Sequence, residues 1–247
     1  MSHRVEAKAR ARAAREEAER REAAQKVRRR RVLRLAIVAA VTAAAAVAGI
    51  AVSAGGPGAD HVDGTAEAQA MLAGIPQHGT RLGDPDAPLV LTEYADLQCP
   101  FCAQFTTGVL PQLIERYVRP GRLQIDLKLL RFLGTDSDRG ARAAHAAATT
   151  GRLWNFVDLF YRNQGPENTG YADDGFLRGI GKAAGAPAVL EAVRMSAHED
   201  DLTAAERDAQ KLGIDSTPSF TLGRRGQAPR PIAGTDLGAF QRAIEGA

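Results

Sequence analysis

Apolar residues are distributed very unevenly along the 247-residue chain. Residues 4–26 are mostly Ala, Arg and Glu, which predicts a solvated helix or tail without an apolar face to bury. Residues 35–54 then form a stretch of twenty positions without a charge. As a helix this stretch would span roughly 30 Å, the thickness of the hydrocarbon core of a bilayer. We therefore predict one transmembrane helix and assign it to residues 32–54.

After residue 80 the pattern changes to short apolar runs separated by helical periodicity. Residues 89–94 form an apolar, β-branched run typical of a strand buried on both faces, and residues 123–130 form a second strand. One predicted helix is capped by Ser137 or Asp138 and runs through His145, and another contains Trp154 and Phe160 as core residues. The other predicted helices are residues 99–117, 176–184, 187–195, 202–212 and 237–244. This alternation predicts an α/β domain over residues 80–247.

Charge separates the N-terminal part from the rest of the chain. Residues 1–34 contain 13 Lys and Arg against 5 Asp and Glu, whereas the remainder contains 19 against 24. An acidic domain argues against a nucleic-acid partner, because binding to phosphates needs clustered positive charge. Residues 55–79 contain Gly, Pro and scattered acids with little periodicity, which predicts a linker between membrane and domain.

The arginines before the apolar segment predict its orientation. Arg34 and residues 28–31 precede it, so the positive-inside rule places residues 1–31 in the cytoplasm as a basic tail and residues 80–247 outside. Residues 52–54 also fit a signal-peptidase site, and residues 29–33 loosely fit a twin-arginine signal. The long charged tail favours a retained single-pass anchor, and each alternative exports the domain.

The two cysteines lie where the first strand passes into a helix. Cys99 is predicted near the N-cap and Pro100 at the first helical position, where a missing N–H costs nothing. The free N–H groups and partial positive charge of this helix start favour a thiolate at Cys99. Cys102, one turn deeper on the same side, can close a small ring with Cys99. The pattern predicts one thiol that attacks and a second that resolves.

Three kinds of site could use this pair of cysteines. A zinc site usually needs a second pair or two histidines, and the histidines are scattered without ligand spacing: His3, His61, His78, His145 and His198. A structural disulfide between Cys99 and Cys102 would close too small a loop to stabilise the fold much. Redox exchange is favoured, and no metal or cofactor is predicted.

From about Thr80 to Ala247 the chain resembles the DsbA-like extracytoplasmic oxidoreductases of the thioredoxin superfamily. The resemblance is carried by two motifs, Asp96-Leu97-Gln98-Cys99-Pro100-Phe101-Cys102 and Gly213-Ile214-Asp215-Ser216-Thr217-Pro218-Ser219-Phe220. It implies a thioredoxin fold with a helical subdomain inserted at about residues 135–200. It also implies a cis Pro218 beside the cysteines, with the backbone of Thr217 offered to an incoming peptide. Pro100 and Phe101 complete the predicted substrate-binding set.

Glu93 is the third candidate catalytic residue. It lies six residues before Cys99 in an apolar strand, where an unpaired carboxylate is costly and its pKa should rise because of burial. The family has an acid at this offset, beneath the second cysteine, which relays a proton to or from the resolving thiol. The alternative is an edge strand with Glu93 facing water.

These features together predict a membrane-anchored, extracytoplasmic thiol–disulfide oxidoreductase. We expect it to donate the Cys99–Cys102 disulfide to exported cysteine-containing proteins through a mixed disulfide on Cys99. The resemblance implies reoxidation by a quinone-linked membrane oxidase. Phe101 stands where well-known DsbA-like sites have histidine, so a milder oxidant or a reductase is an alternative. An isomerase is disfavoured because residues 55–79 are too short for a dimerisation domain. A non-catalytic peptide- or copper-binding module is the remaining alternative.

Overall fold

A computed structural model describes residues 61–247, which form an α/β domain around a six-stranded sheet. The predicted cytoplasmic tail and transmembrane helix, residues 1–54, lie outside the described residues. Among residues 61–247, the helices are too short or too polar to cross a membrane.

The sheet places the first predicted strand at its centre. Its strands are β1 (Gln77–His78), β2 (Arg81–Leu82), β3 (Leu89–Ala95), β4 (Leu123–Leu129), β5 (Ser219–Arg224) and β6 (Arg230–Pro231), in the order β1-β2-β4-β3-β5-β6. Strand β3 pairs in parallel with β4 and antiparallel with β5. A parallel pair needs a crossover connection, and the helix that follows β3 supplies it. The carboxyl end of β3 is therefore the point from which the cysteine-bearing helix begins.

The helices lie mainly between β3 and β5. They are α1 (Thr65–Leu72), α2 (residues 100–118), α3 (Thr135–Ala148), α4 (Leu153–Arg162), α5 (Asp174–Ala184), α6 (Val189–Arg194), α7 (Glu199–Lys211) and α8 (Leu237–Glu245). Helices α3 to α6 follow β4 directly, which confirms the predicted helical insertion. Trp154 and Phe160 of α4 are buried as expected.

Helix α2 is irregular along its length. Its α-helical parts, Pro100–Gln104 and Leu110–Leu113, alternate with π-helical turns at Phe105–Val109 and Ile114–Val118. Pro111 has no N–H to donate to the preceding turn, which interrupts the regular α-helical hydrogen bonding. An apolar cluster holds α2 in place: the ring centroid of Phe105 lies 4.6 Å from that of Phe220 and 5.4 Å from that of Phe240. The cysteine-bearing helix is thus packed against β5 and α8.

Helix α3 begins earlier than predicted. It starts at Thr135, after Gly134 with φ of 99°, so neither Ser137 nor Asp138 is its cap. Ser137 lies inside the helix and is fully buried, and its hydroxyl is used in a tertiary hydrogen bond described below. The local preference of serine for a cap therefore gives way to a tertiary contact.

The predicted linker is structured over much of its length. Residues 65–72 form α1, which buries Ala68 and Leu72, and residues 77–78 form β1. The guanidinium of Arg119 donates to the carbonyls of Met71 and Ala73, at 2.9 Å each. The expectation of a linker is wrong here because small, spaced apolar residues are enough for a helix that packs on an existing surface. Residues 55–60 of that segment lie outside the described residues.

Candidate functional site

The turn between β3 and α2 holds the cysteine pair. Cys99 is the N-cap of α2, with extended backbone angles, and Pro100 occupies the first turn. Cys99 N–H donates to the carbonyl of Asp96 at 3.0 Å, which closes the turn. The predicted position of Cys99 at a helix N-terminus is confirmed. Its sulfur therefore lies beside backbone N–H groups that the helix leaves unpaired.

The two sulfurs have different environments. Both cysteines are free thiols; Cys99 retains 5% exposure and Cys102 has none. Hydrogen bonding with the Cys102 thiol, aided by the Thr217 side chain and backbone N–H groups of α2, lowers the pKa of Cys99 to about 6 despite partial desolvation. Burial raises the pKa of Cys102 well above its ordinary value, and its hydrogen bond to Cys99 and the charge of Glu93 raise it further. Cys99 is thus the acidic, reachable thiol of the pair.

Glu93 lies inside the sheet beneath this pair. In the register of β3 it stands opposite Leu127 on one side and Phe220 on the other, so it is interior and not on an edge strand. Its side chain is buried, and its Oε1 atom has no hydrogen-bond partner. Burial, with a smaller contribution from the charge of Cys99, raises the pKa of Glu93 to about 8. Near neutral pH this carboxyl carries a proton.

The second sequence motif meets the first in space. The Thr217–Pro218 peptide bond is cis, as the resemblance implied. The Cys99 thiol donates to the backbone carbonyl of Thr217, with 3.3 Å between Sγ and O, across more than a hundred residues of sequence. Pro100 and Phe101 are exposed, and 63% of Phe101 is accessible. The predicted substrate-binding residues Thr217 and Pro218 therefore lie next to Cys99.

A groove runs from this point along the start of β5. It has a volume of about 390 Å³, and its lining includes Ile214, Ser216, Pro218, Ser219 and Ile232. The lining mixes apolar side chains with short hydroxyl side chains.

Sequence reasoning missed the groups that hold the cysteine turn in place. The Asp96 carboxylate is completely buried and accepts from Ser137 Oγ at 2.6 Å, from Gln98 N–H at 2.8 Å and from Leu133 N–H at 3.0 Å. Burial raises the pKa of Asp96, and these donors act in the opposite direction. Gln98 Nε2 donates in turn to the carbonyl of Leu133 at 2.7 Å. Asp96 and Gln98 belong to the cysteine motif, and their polarity next to a buried strand was the available signal.

Helix α4 and the residues after it support the same turn from the insertion. Tyr161 Oη donates to the carbonyl of Asp96 at 3.1 Å. Gln164 Nε2 donates to the carbonyls of Leu97 at 2.7 Å and Cys99 at 3.3 Å. No sequence pattern connects positions 161 and 164 to a turn more than sixty residues earlier, so these contacts come only from the fold. The insertion is therefore part of the scaffold of the cysteine turn.

Comparisons with known proteins agree with this geometry. The family profile described as thioredoxin matches residues 77–234. A probable disulfide bond formation protein D from Bacillus cereus is 29% identical over 170 residues, covering 66% of this chain and 76% of the relative. The disulfide bond formation protein D of Bacillus subtilis is 23% identical over 147 residues, covering 56% of this chain and 65% of the relative.

Solved structures show the same fold. Oxidised BdbD from Bacillus subtilis superimposes with a TM-score of 0.62 at 19% identity, covering 70% of this chain and 96% of that one. Wolbachia pipientis α-DsbA1 gives a TM-score of 0.54 at 21% identity, covering 71% and 91%. With the cysteine turn, the cis Pro218 and the family match together, the chain belongs to the thioredoxin family and is a DsbA-like thiol–disulfide oxidoreductase.

Proposed function

We propose that this chain oxidises exported proteins by donating a Cys99–Cys102 disulfide through a mixed disulfide on Cys99. The observation that carries the proposal is the inequality of the two sulfurs, with the pKa of Cys99 lowered to about 6 by hydrogen bonding and that of Cys102 raised by burial. A stabilised Cys99 thiolate favours the reduced form of the pair, so the disulfide is readily given up. The curated relatives named as disulfide bond formation proteins support the same direction.

The steps follow from thiol–disulfide exchange. A substrate thiolate attacks Cys99 Sγ of the disulfide, the Cys99–Cys102 bond breaks, and Cys102 leaves with the electron pair. Glu93, protonated near neutral pH because burial raises its pKa to about 8, is placed to supply a proton to the Cys102 thiolate. A second substrate thiolate then attacks the substrate sulfur of the mixed disulfide and expels Cys99 as a thiolate. The substrate has lost two electrons and the cysteine pair has gained them.

Substrate docking would use the surface around Cys99. The exposed Phe101, the groove beside Pro218 and the backbone of Thr217 offer apolar contact and hydrogen bonding to an extended chain. Only Cys99 of the pair has any exposed surface, which is why the mixed disulfide is assigned to it.

The setting of the reaction is also part of the proposal. The basic tail, residues 1–31, and the uncharged segment that follows support a single-pass anchor at residues 32–54 with the catalytic domain outside the cytoplasm. A quinone-linked membrane oxidase would reoxidise the pair. In intact cells, a membrane-impermeant maleimide should label reduced Cys99; labelling only after lysis would place the domain inside.

Trapping of the mixed disulfide tests the mechanism. Cys102→Ser has no disulfide to donate, but its Cys99 thiolate can still attack a disulfide of an oxidised substrate and displace one substrate thiolate, which forms the same mixed disulfide from the opposite direction. Without the Cys102 thiol to release it, this mixed disulfide should accumulate on Cys99 and disappear on treatment with reductant. The matched variant Cys99→Ser should trap nothing. Equal trapping by the two variants would show that the reaction does not proceed through Cys99.

A reductase of the same fold is the second candidate, and the specific observation in its favour is Phe101. This side chain is 63% exposed and has no charge or hydrogen-bonding group to stabilise the thiolate. A redox titration against glutathione separates the two functions. A potential of about −120 mV marks a strong oxidant, and one of about −270 mV marks a reductant.

A further inference from the structure

We propose that His145, His198 and Asp201 form a binding site for one divalent transition-metal ion, of which Zn²⁺ is the representative. His145 lies on α3, His198 immediately precedes α7, and Asp201 lies in the first turn of α7. The histidines are 53 positions apart, so ligand spacing in the sequence does not reveal the site. The cysteine turn contributes no ligand.

The three side chains converge on one point. One nitrogen of each imidazole and one carboxylate oxygen all lie within 4.8 Å of one another. The two rings are stacked with centroids 5.8 Å apart, and His198 Nδ1 lies 3.5 Å from Asp201 Oδ2. Ligand atoms bound tetrahedrally to Zn²⁺ at about 2.0–2.2 Å lie about 3.4 Å apart. The His198–Asp201 pair already has this separation, and the Asp201 side chain, 64% exposed, can adjust to the rest.

His145 provides an independent sign of a missing partner. Its side chain is more than nine-tenths buried, and its Nε2 atom is shielded from water without any hydrogen-bond partner. An unpaired buried polar atom is destabilising, so such atoms in native proteins usually have a hydrogen-bond partner, a bound water or a bound ion.

The donor set selects the class of ion. Two imidazoles and one carboxylate suit Zn²⁺ and its transition-metal neighbours, whereas Ca²⁺ and Mg²⁺ prefer sites made of oxygen ligands. Three protein ligands leave one position for water. The positive charge of Lys128 and the negative charge of Asp201 act on His145 in opposite directions. A bound ion would connect α3 to the start of α7.

Calorimetric titration of the purified full-length chain with Zn²⁺ tests the site. The experiment uses the Cys99→Ser/Cys102→Ser background, because thiolates also bind zinc. We expect one equivalent to bind, and Asp201→Asn and His198→Ala each to weaken binding at least tenfold. Lys128→Ala should tighten binding because it removes a nearby positive charge.

The matched control is His61→Ala. His61 pairs with Asp63 at 3.1 Å on the surface, which gives a histidine–carboxylate pair without a second imidazole partner. The variant His61→Ala should therefore leave the affinity for Zn²⁺ unchanged. Thermal unfolding gives a second readout: Zn²⁺ should raise the Tm of the parent but not that of Asp201→Asn. Absence of one-to-one binding in the cysteine-free parent would overturn the proposal. So would zinc affinity that survives both ligand variants, or that falls equally in His61→Ala.

Discussion

At the scale of single residues, the site consists of three ionisable groups whose protonation equilibria are displaced in different directions. Burial raises the pKa of Glu93 to about 8, hydrogen bonding lowers that of Cys99 to about 6, and burial raises that of Cys102. The motif alone predicted an acidic Cys99. The sequence does not decide whether Glu93 is buried or lies on an edge strand, because the strands that pair with β3 are determined by the tertiary fold. Pairing of β3 on both sides decides the question.

Replacing Glu93 by Gln should stabilise the reduced protein increasingly as pH rises. The folded pKa of about 8 lies above 4.5, the ordinary pKa of a glutamate side chain, so between these values the unfolded state gives up a proton that the folded state keeps. The contribution of Glu93 to wild-type stability therefore falls with pH across this window, by about 1.4 kcal/mol per unit, and Glu93→Gln lacks this loss.

The measurement is urea unfolding of reduced wild type and Glu93→Gln at several pH values between 4.5 and 8. The difference in unfolding free energy should widen steadily with pH. Glu191→Gln is the control, because its side chain is exposed. A difference between Glu93→Gln and wild type that stays constant from pH 4.5 to 8 would show that Glu93 is not held protonated by burial.

Removing the thiol of Cys102 should raise the pKa of Cys99. Hydrogen bonding with that thiol is the largest cause of the lowered Cys99 pKa. Cys102→Ala loses the donor, whereas Cys102→Ser keeps a hydroxyl in its place. Thiolate absorption in the ultraviolet, followed against pH, should show a higher midpoint for Cys102→Ala than for Cys102→Ser. Identical midpoints would mean that other groups stabilise the thiolate.

At the scale of secondary-structure elements, the inserted helices stabilise the turn that carries the cysteines. Ser137 of α3 and Tyr161 of α4 hydrogen-bond to Asp96, so the insertion holds the turn that carries Cys99. Helical periodicity predicted these helices, and most of their bounds agree within a few residues. Their hydrogen bonds to the cysteine turn could not be predicted, because such contacts depend on how helices pack and not on local patterns.

Ser137→Ala should destabilise the domain by about 1–3 kcal/mol, because the buried Asp96 carboxylate loses its 2.6 Å donor. The matched control is Thr107→Ala, whose exposed hydroxyl bonds only to the carbonyl of Ala103 within α2. This control should stay within about 0.5 kcal/mol of wild type. Chemical denaturation compares the two. Equal losses of unfolding free energy in Ser137→Ala and Thr107→Ala would show that the Ser137 hydroxyl does not stabilise the cysteine turn.

At the scale of the whole molecule, the domain begins well before residue 80. Helix α1 and β1 belong to the packed structure, and Gln77 links them to α4 by accepting from Trp154 N–H at 3.1 Å and donating to Asn155 at 2.9 Å. The sequence suggested a linker because α1 is short and mostly small or polar. Its two buried residues, Ala68 and Leu72, form too weak a pattern to recognise without the surface that they cover.

Leu72→Ala should lower the free energy of unfolding by about 2–5 kcal/mol, since this side chain is buried against the core and its removal leaves a cavity. Gln69→Ala, at an exposed position of the same helix, is the control and should change little. Denaturant unfolding measures both. A true linker would give small, equal effects for Leu72→Ala and Gln69→Ala.

The most direct test is the pH dependence of alkylation of Cys99 in the reduced protein. Cys102 has no exposed surface, so iodoacetamide should report on Cys99 alone. Hydrogen bonding at the start of α2 lowers the pKa of Cys99 to about 6, and the alkylation rate should therefore reach half of its maximum near that pH. A midpoint at or above about 8.5, the pKa of a free cysteine, would contradict the account.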